Sequence, residues 1–164
     1  MQLALDKLKV KFGADILEAS HYLGNETAVV RKEKIVEVIQ YLNNERGLEF
    51  NMMTDLFGAD YPGRKERFEV VYHLYSLSTR KRVRLKVRVA EGEAVPTICS
   101  LYKAANWFER EAYDMFGIRF EGHPNLKRIL MFEEFEGHPL RKDYPINKRP
   151  KIPSPDPLID ERLL

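Results

Sequence analysis

The sequence predicts an α+β fold: a small mixed sheet packed with helices, followed by an extended Pro-rich C-terminal arm. Three observations carry this. Two strand-like runs, "RFEVVYHLYSL" and "RVRLKVRVA", stand back to back at 67–77 and 82–90, rich in the β-branched and aromatic residues that suit a pleated surface. Apolar residues recur at helical spacing on both sides of them. Seven of the nine prolines lie from Pro124 onward, five of them in "PINKRPKIPSPDP", where φ is locked and backbone donors are missing. The chain divides accordingly into an α+β domain over 1–117 and an extended segment and tail over 118–164.

Each element has its own signal. Leu3, Leu5, Leu8 and Phe12 outline a short first helix, and "DILEASHYL" and "NETAVVRK" suit two strands joined near Gly24. From Lys32 the positions Ile35, Val36, Val38, Ile39 and Leu42 keep helical spacing until Gly47 closes the run. In the strand at 82–90, Val83, Leu85, Val87 and Val89 alternate with Arg82, Arg84, Lys86 and Arg88, so one face is buried and the other is a row of four cations. Such a row suits a solvated outer face, and it carries no stacking aromatic that would favour nucleic acid. Pro96 and Thr97 open a further helical stretch that bears Leu101, Trp107, Phe108, Ala112 and Met115 and stops at Gly117.

Composition narrows the function. A chain of 164 residues can bury a real core, and its net charge of +2 gives no global reason to bind nucleic acid or an anionic membrane. Cys99 is the lone cysteine, which removes a disulfide framework and any Cys-clustered metal site within the chain. No run approaches the roughly 18 apolar residues of a membrane span, and "MQLALDKLKVKFG" alternates too finely for a signal-peptide core. The segment "GADYPGRK" at 58–65 comes near a phosphate loop but fails chemically: Arg64 and Lys65 replace the lysine and the magnesium-binding hydroxyl, and Asp60 would repel phosphate. It is expected to be a loop. No Gly-x-Gly-x-x-Gly, Gly-x-Ser-x-Gly or His-Glu-x-x-His occurs.

Two candidate constellations remain. In "NWFEREAYDMFG", Glu111 and Asp114 lie one helical turn apart with Arg110 four residues before Asp114, a spacing that suits a structural ion pair better than a tuned proton donor. Glu-Gly-His-Pro occurs twice, at 121–124 and 136–139, and the proline after each histidine holds His123 and His138 extended. Two His with Glu121 and Glu136 could ligate zinc or iron, though Lys127, Arg128, Arg141 and Lys142 compete for the carboxylates. The alternative to a metal-dependent enzyme using His123 and His138 is a pair of rigid corners whose imidazoles hydrogen-bond across an interface. Between the corners, Leu126, Ile129, Leu130, Met131, Phe132 and Phe135 are too apolar for a free loop and must pack on something.

From Phe108 to Pro145, "FEREAYDMFGIRFEGHPNLKRILMFEEFEGHPLRKDYP" closely resembles the signature of the C subunit of respiratory complex I (NADH-quinone oxidoreductase), the thirty-kilodalton subunit family. "FEEFEGHP" departs from the Tyr-Gly-Phe-type approach of many relatives and leaves the corner intact. The resemblance implies a non-catalytic peripheral-arm subunit that docks on the D (forty-nine-kilodalton) subunit, near the B subunit, on the cytoplasmic side of the membrane. It also implies no cofactor in this chain, with FMN, iron–sulfur clusters and the quinone site in partner subunits. By position, the docking segment it implies comprises Glu109, Arg110, Glu111, Asp114, Gly117, His123, Pro124, Arg128, His138, Pro139, Arg141, Lys142 and Asp143. Some relatives fuse this subunit to D; here the chain stops at Leu164, so a separate partner is expected.

Overall fold

The computed structural model of the chain describes residues 4–147. The expected place of Leu3 in the first helix, and most of the proline-rich tail, lie outside them. Three helices, α1 (Ala4–Phe12), α2 (Ile35–Asn44) and α3 (Ala105–Phe116), pack with a five-stranded sheet built from β1 (Ile16–Tyr22), β2 (Asn25–Val30), β3 (Met52–Asp60), β4 (Phe68–Ser76) and β5 (Lys81–Val89). Two short strands, β6 (Ala94–Pro96) and β7 (Arg119–Glu121), form a separate parallel pair. The strand order is β1-β2-β5-β4-β3. Within the five-stranded sheet only β2 and β5 run parallel, with α2, β3 and β4 between them in sequence, so that sheet is mixed as expected.

Alternation in β5 sets the two faces. Val83, Leu85, Val87 and Val89 are buried, and register places Leu85 between Tyr72 of β4 and Ala28 of β2 on the same face. Onto this face α2 lays Ile35, Val38, Ile39 and Leu42, all fully buried, which is the stripe its spacing predicts. The opposite face carries the cations, yet they are less solvated than expected. Lys86 Nζ lies 3.1 Å from buried Glu69, Arg88 reaches Glu18 at 2.7 Å, and Arg84 Nε–H donates to His73. Aromatics do share the face, against expectation: Arg82 stacks over Tyr75, and Phe57 lies against His73.

Two elements differ from the sequence reading. Gly58–Asp60, expected as a loop, is the end of β3, a strand with little β-favouring composition. Gly58 belongs there because a Cβ at that position would sit 2.7 Å from the ring of Phe116 and 3.0 Å from Ile118, so α3 and the chain after it press directly on the strand. Pro96 does not open a helix but ends β6, and α3 begins only at Ala105 after a series of turns. The boundary at Gly117 coincides with the end of α3, and Ile118 and Phe120 just beyond it are buried in the common core.

Candidate functional site

The segment that follows β7 returns over α3 as an irregular strap, and α3 takes most of its polar contacts. The helix ends at Gly117, whose φ of +78° is open to glycine and costly for other residues. A Cβ there would also lie 2.6 Å from atoms of both Arg141 and His138, so the strap passes where only a glycine lets it.

The second Gly-His-Pro corner is a cap for this helix end. An α-helix leaves its last four carbonyls without partners inside the helix. Here the Tyr113 carbonyl accepts from Gly117 N–H (2.8 Å) and the Asp114 carbonyl lies 2.9 Å from His138 Nδ1. The Met115 carbonyl accepts from Leu140 N–H (3.1 Å) and the Phe116 carbonyl from Arg141 Nε–H (2.6 Å). Because a carbonyl only accepts, His138 carries its proton on Nδ1. Burial pushes the His138 pKa down; the Asp114 carbonyl opposes that shift, while Arg141 and Arg128 reinforce it.

The first corner grips the other end of the helix. His123 Nδ1 accepts from Asn125 N–H (3.0 Å), which leaves Nε2–H to donate to the Asn106 carbonyl (3.1 Å). Both imidazoles thus bond within the chain, where the sequence suggests partners across an interface.

Between the corners the strap is organised by one buried carboxylate. Asp114 is fully buried, and its Oδ2 accepts from the N–H groups of Ile129 (3.0 Å), Leu130 (2.9 Å) and Met131 (2.9 Å). Its Oδ1 receives Arg128 Nη1 at 2.6 Å, and the same guanidinium reaches the carbonyls of Phe135 and Gly137. Burial alone would raise the Asp114 pKa, but these donors outweigh it and hold the carboxyl below the usual carboxylate range. Arg110, expected as the partner of Asp114, instead donates to the carbonyls of Lys127 and Arg128 and stacks on Trp107. Glu111 is exposed.

A second polar clasp ties the strap to the sheet end. Asp60 takes Arg67 bidentately (2.7 and 2.9 Å) and the Lys142 N–H (2.7 Å), while Arg67 also meets Asp143 at 2.8 Å. Arg141 reaches Glu91 at 2.7 Å. The sequence points to Arg141 and Asp143 but not to Asp60, Arg67 or Glu91, which no local spacing connects to them. Pro124 is exposed and Pro139 half-buried, each fixing its corner.

The metal reading does not survive in its first form, since His123 and His138 bond to opposite ends of α3. Among the described residues, the group with ligand atoms within 4.8 Å of one another is Cys99, Glu109 and His123. Each of its atoms is already engaged: Glu109 accepts from Ile98 N–H (2.8 Å), Thr97 Oγ1 (2.5 Å) and Cys99 Sγ (3.5 Å). Metal at His123 Nε2 would need the proton moved to Nδ1, which faces the Asn125 N–H and cannot take it. Burial raises the Glu109 pKa and pushes the Cys99 thiol up to about 11, both disfavouring the ionised forms a metal requires. Buried Glu109, with its bonds from Thr97, Ile98 and Cys99, seats the 97–99 turn on α3, and His123 beside it is bonded to Asn106 and Asn125.

Residues 28–150 match the family model described as respiratory-chain NADH dehydrogenase, 30 Kd subunit. The chain belongs to that family. Among its relatives, the C subunit of NADH-quinone oxidoreductase from Geotalea uraniireducens (strain Rf4) is 47% identical over 144 residues, covering 87% of each chain. The C/D subunit of NADH-quinone oxidoreductase from Bdellovibrio bacteriovorus (strain ATCC 15356 / DSM 50701 / NCIMB 9529 / HD100) is 47% identical over 139 residues, 85% of this chain and 24% of that protein. The fold is similar to a chain in the structure of the membrane-bound sulfane sulfur reductase, an archaeal respiratory membrane complex, with a TM-score of 0.73 at 23% identity over 87% of this chain and 85% of that one. Among the described residues no helix is long and apolar enough to cross a membrane.

Proposed function

We propose that this chain is a non-catalytic assembly subunit of an NADH-quinone oxidoreductase, held on the cytoplasmic face of the membrane by docking on the D subunit, near B. In this reading residues 1–117 are the platform and 118–164 the docking arm. NADH oxidation, FMN, iron–sulfur clusters and quinone reduction belong to partner subunits. The family membership supports the complex, and the relative whose name joins C and D in one chain supports D as the neighbour.

The single observation that carries the docking part is the strap's construction. Its polar groups are spent on α3 and on the sheet end, which fixes its path and leaves Leu130 (57%) and Leu140 (52%) exposed on a preformed surface. A surface already ordered before contact loses little entropy on binding. Asp114, Gly117, Arg128, His138 and Arg141 therefore serve docking by shaping the strap, while Glu111, Pro124, Lys142 and Asp143 are exposed where a partner would meet it.

The test is a Glu111→Arg, Leu130→Asp variant, both positions being exposed and outside the core. Native gels of membranes should show less assembled complex, with the chain no longer retaining D. NADH-dependent quinone reduction should fall in proportion to assembled complex, with normal turnover per complex. Full assembly with lost turnover would mean that this chain acts on the chemistry.

A further inference from the structure

β1 and β4 end, and β2, β3 and β5 begin, at one end of the sheet. The clasp of Asp60, Arg67, Glu91 and Asp143 lies at the other end, so this one is remote from the strap. It displays Tyr22 (75% exposed), Leu23 (80%), Leu77 (60%) and Met52 (44%). The Leu23–Gly24 turn has positive φ at both residues, +48° and +79°. Asn-Gly or Gly-Gly is the ordinary choice there, and a leucine held in that conformation puts an aliphatic side chain at an exposed tip at a conformational cost. Such an outlier is an observation from which a functional role is inferred.

Beside the tip runs a groove of about 550 Å³ lined by Leu23, Glu26, Tyr75, Arg80, Lys81 and Arg82, together with His21 and Asn25. Its positive charge is in excess: burial raises the Glu26 pKa, and the attraction of Lys81 opposes that shift only in part. Farther along β5, Lys86 and Arg88 are ion-paired and Arg84 is bonded to His73, but Arg80, Lys81 and Arg82 form no ion pair among the described residues. The acid in the lining, Glu26, is 4% exposed and turned to the first turn of α1, where it accepts from Ala4 N–H (3.1 Å). Glu49, near the β4–β5 turn, accepts from the Ser78 hydroxyl and is not among the groove's lining residues.

We propose that this sheet end is a second docking surface, whose occupant is an acidic segment of a partner polypeptide with an apolar residue between its carboxylates. Three cations without ion pairs in a groove select carboxylates, and Leu23 in its lining, with Leu77 and Met52 exposed farther along the same sheet end, selects an aliphatic side chain. A small free anion would leave those apolar side chains unused. A second copy of the chain would bring the same cations to a self-complementary contact and be repelled. The surface makes the chain a bridge with a partner at each end of its sheet, whichever subunit the strap engages.

The experiment places a photoreactive benzoylphenylalanine at Leu23 or at Leu77 in the assembled complex in native membranes, with the same probe at exposed Val10 on α1 as the reference. The expected crosslink is to a partner segment with at least two Asp or Glu within a few positions. Its yield falls several-fold in an Arg80→Glu, Arg82→Glu variant and with rising salt, and it returns when those partner acids are changed to arginine. An Arg80→Gln, Arg82→Gln variant gives the intermediate yield and guards against loss of folding in the reversal. Retention of D, measured in parallel, reports on the strap separately. Crosslinks no stronger than from Val10, crosslinks to a second copy or to a neutral or basic segment, or a yield indifferent to the reversal would each overturn the proposal.

Discussion

Arg141 donates from Nε to the carbonyl of Phe116 at 2.6 Å, closing the last turn of α3 from 25 positions away in sequence. The sequence alone suggests that Arg141→Ala leaves the α+β domain untouched, with the side chain at work across an interface. The bond revises that expectation. Truncation leaves the Phe116 carbonyl without its donor and Glu91, which is exposed, with Arg67 alone; an orphaned acceptor away from water costs about 1–3 kcal/mol. Chemical denaturation of the isolated chain should show a loss in that range. Arg141→Lys should recover little of it, since one ammonium cannot reach both Phe116 and Glu91 in the guanidinium's geometry. Unchanged stability in Arg141→Ala would return the residue to a purely interfacial role.

Asp114→Asn should be more damaging. The amide retains one acceptor oxygen but removes the charge that holds three backbone N–H groups and Arg128, and breaking one side of a buried pair costs about 3–5 kcal/mol. Its effect should be local first: hydrogen exchange at residues 129–131 accelerates before the sheet amides of β4 and β5 change. Acid should mimic the substitution. The Asp114 pKa is lowered in the fold, so its contribution is complete above the ordinary carboxylate pKa of about 3.9 and is lost as pH falls through the lower folded value. Strap amides that stayed protected through that descent would show that Asp114 is not what organises the segment.

Legibility follows sequence distance. Strands β4 and β5 and helix α2 are readable because their cause is local, a run of β-branched and aromatic residues in β4, a period of two in β5 and of 3.6 in α2. Strand β3 is not: Asp55, Gly58 and Asp60 argue against a strand, and its pairing has a bulge between Met53 and Asp55. What makes it one is the pairing with β4 and the pressure of Phe116 and Ile118 on Gly58, which no window along the chain contains. The same holds for the site. The Gly-His-Pro corners announce a rigid device, and the family resemblance marks most of its residues. The partners are misjudged because nearness in sequence favours Arg110 for Asp114, whereas the strap delivers Arg128 together with three N–H groups. Thr97 is readable as a helix signal, but its hydroxyl serves Glu109 in the turn before the helix.

Cys99 should be nearly inert in the native chain. Burial and the neighbouring Glu109 carboxylate push its thiol up to about 11, so almost no thiolate exists at neutral pH, and the thiolate is the nucleophile. Maleimide labelling should be slow until denaturant unfolds the chain, then rapid. Zinc added at micromolar concentration should not shift the thermal midpoint, since a metal at Cys99, Glu109 and His123 would break the hydrogen bonds that occupy them. A zinc-dependent rise that His123→Ala abolished would revive the metal reading with a different ligand set from the one the sequence suggests.

The pH dependence near neutrality should come from His138 together with His73, whose pKa burial and the neighbouring Arg84 also lower. The folded pKa of His138 is lowered, chiefly by burial, so the native state binds fewer protons than the unfolded state as pH falls through the ordinary value of about 6.5. Stability should accordingly be complete above that value and decline as pH drops below it, because protonation places a cation between Arg128 and Arg141 at the end of α3. The Asp114 carbonyl bond survives, since Nδ1 already carries its proton. What is lost is the tolerance of the two guanidinium groups for the ring. Denaturation midpoints measured between about pH 7.5 and about pH 5.5, a window that brackets the ordinary histidine value, should fall along a slope that His138→Gln flattens. NMR titration should assign to His138 a midpoint below the ordinary value. A midpoint above it, or a slope unchanged in His138→Gln, would mean that the positive charge is welcome there and that the helix cap is built differently.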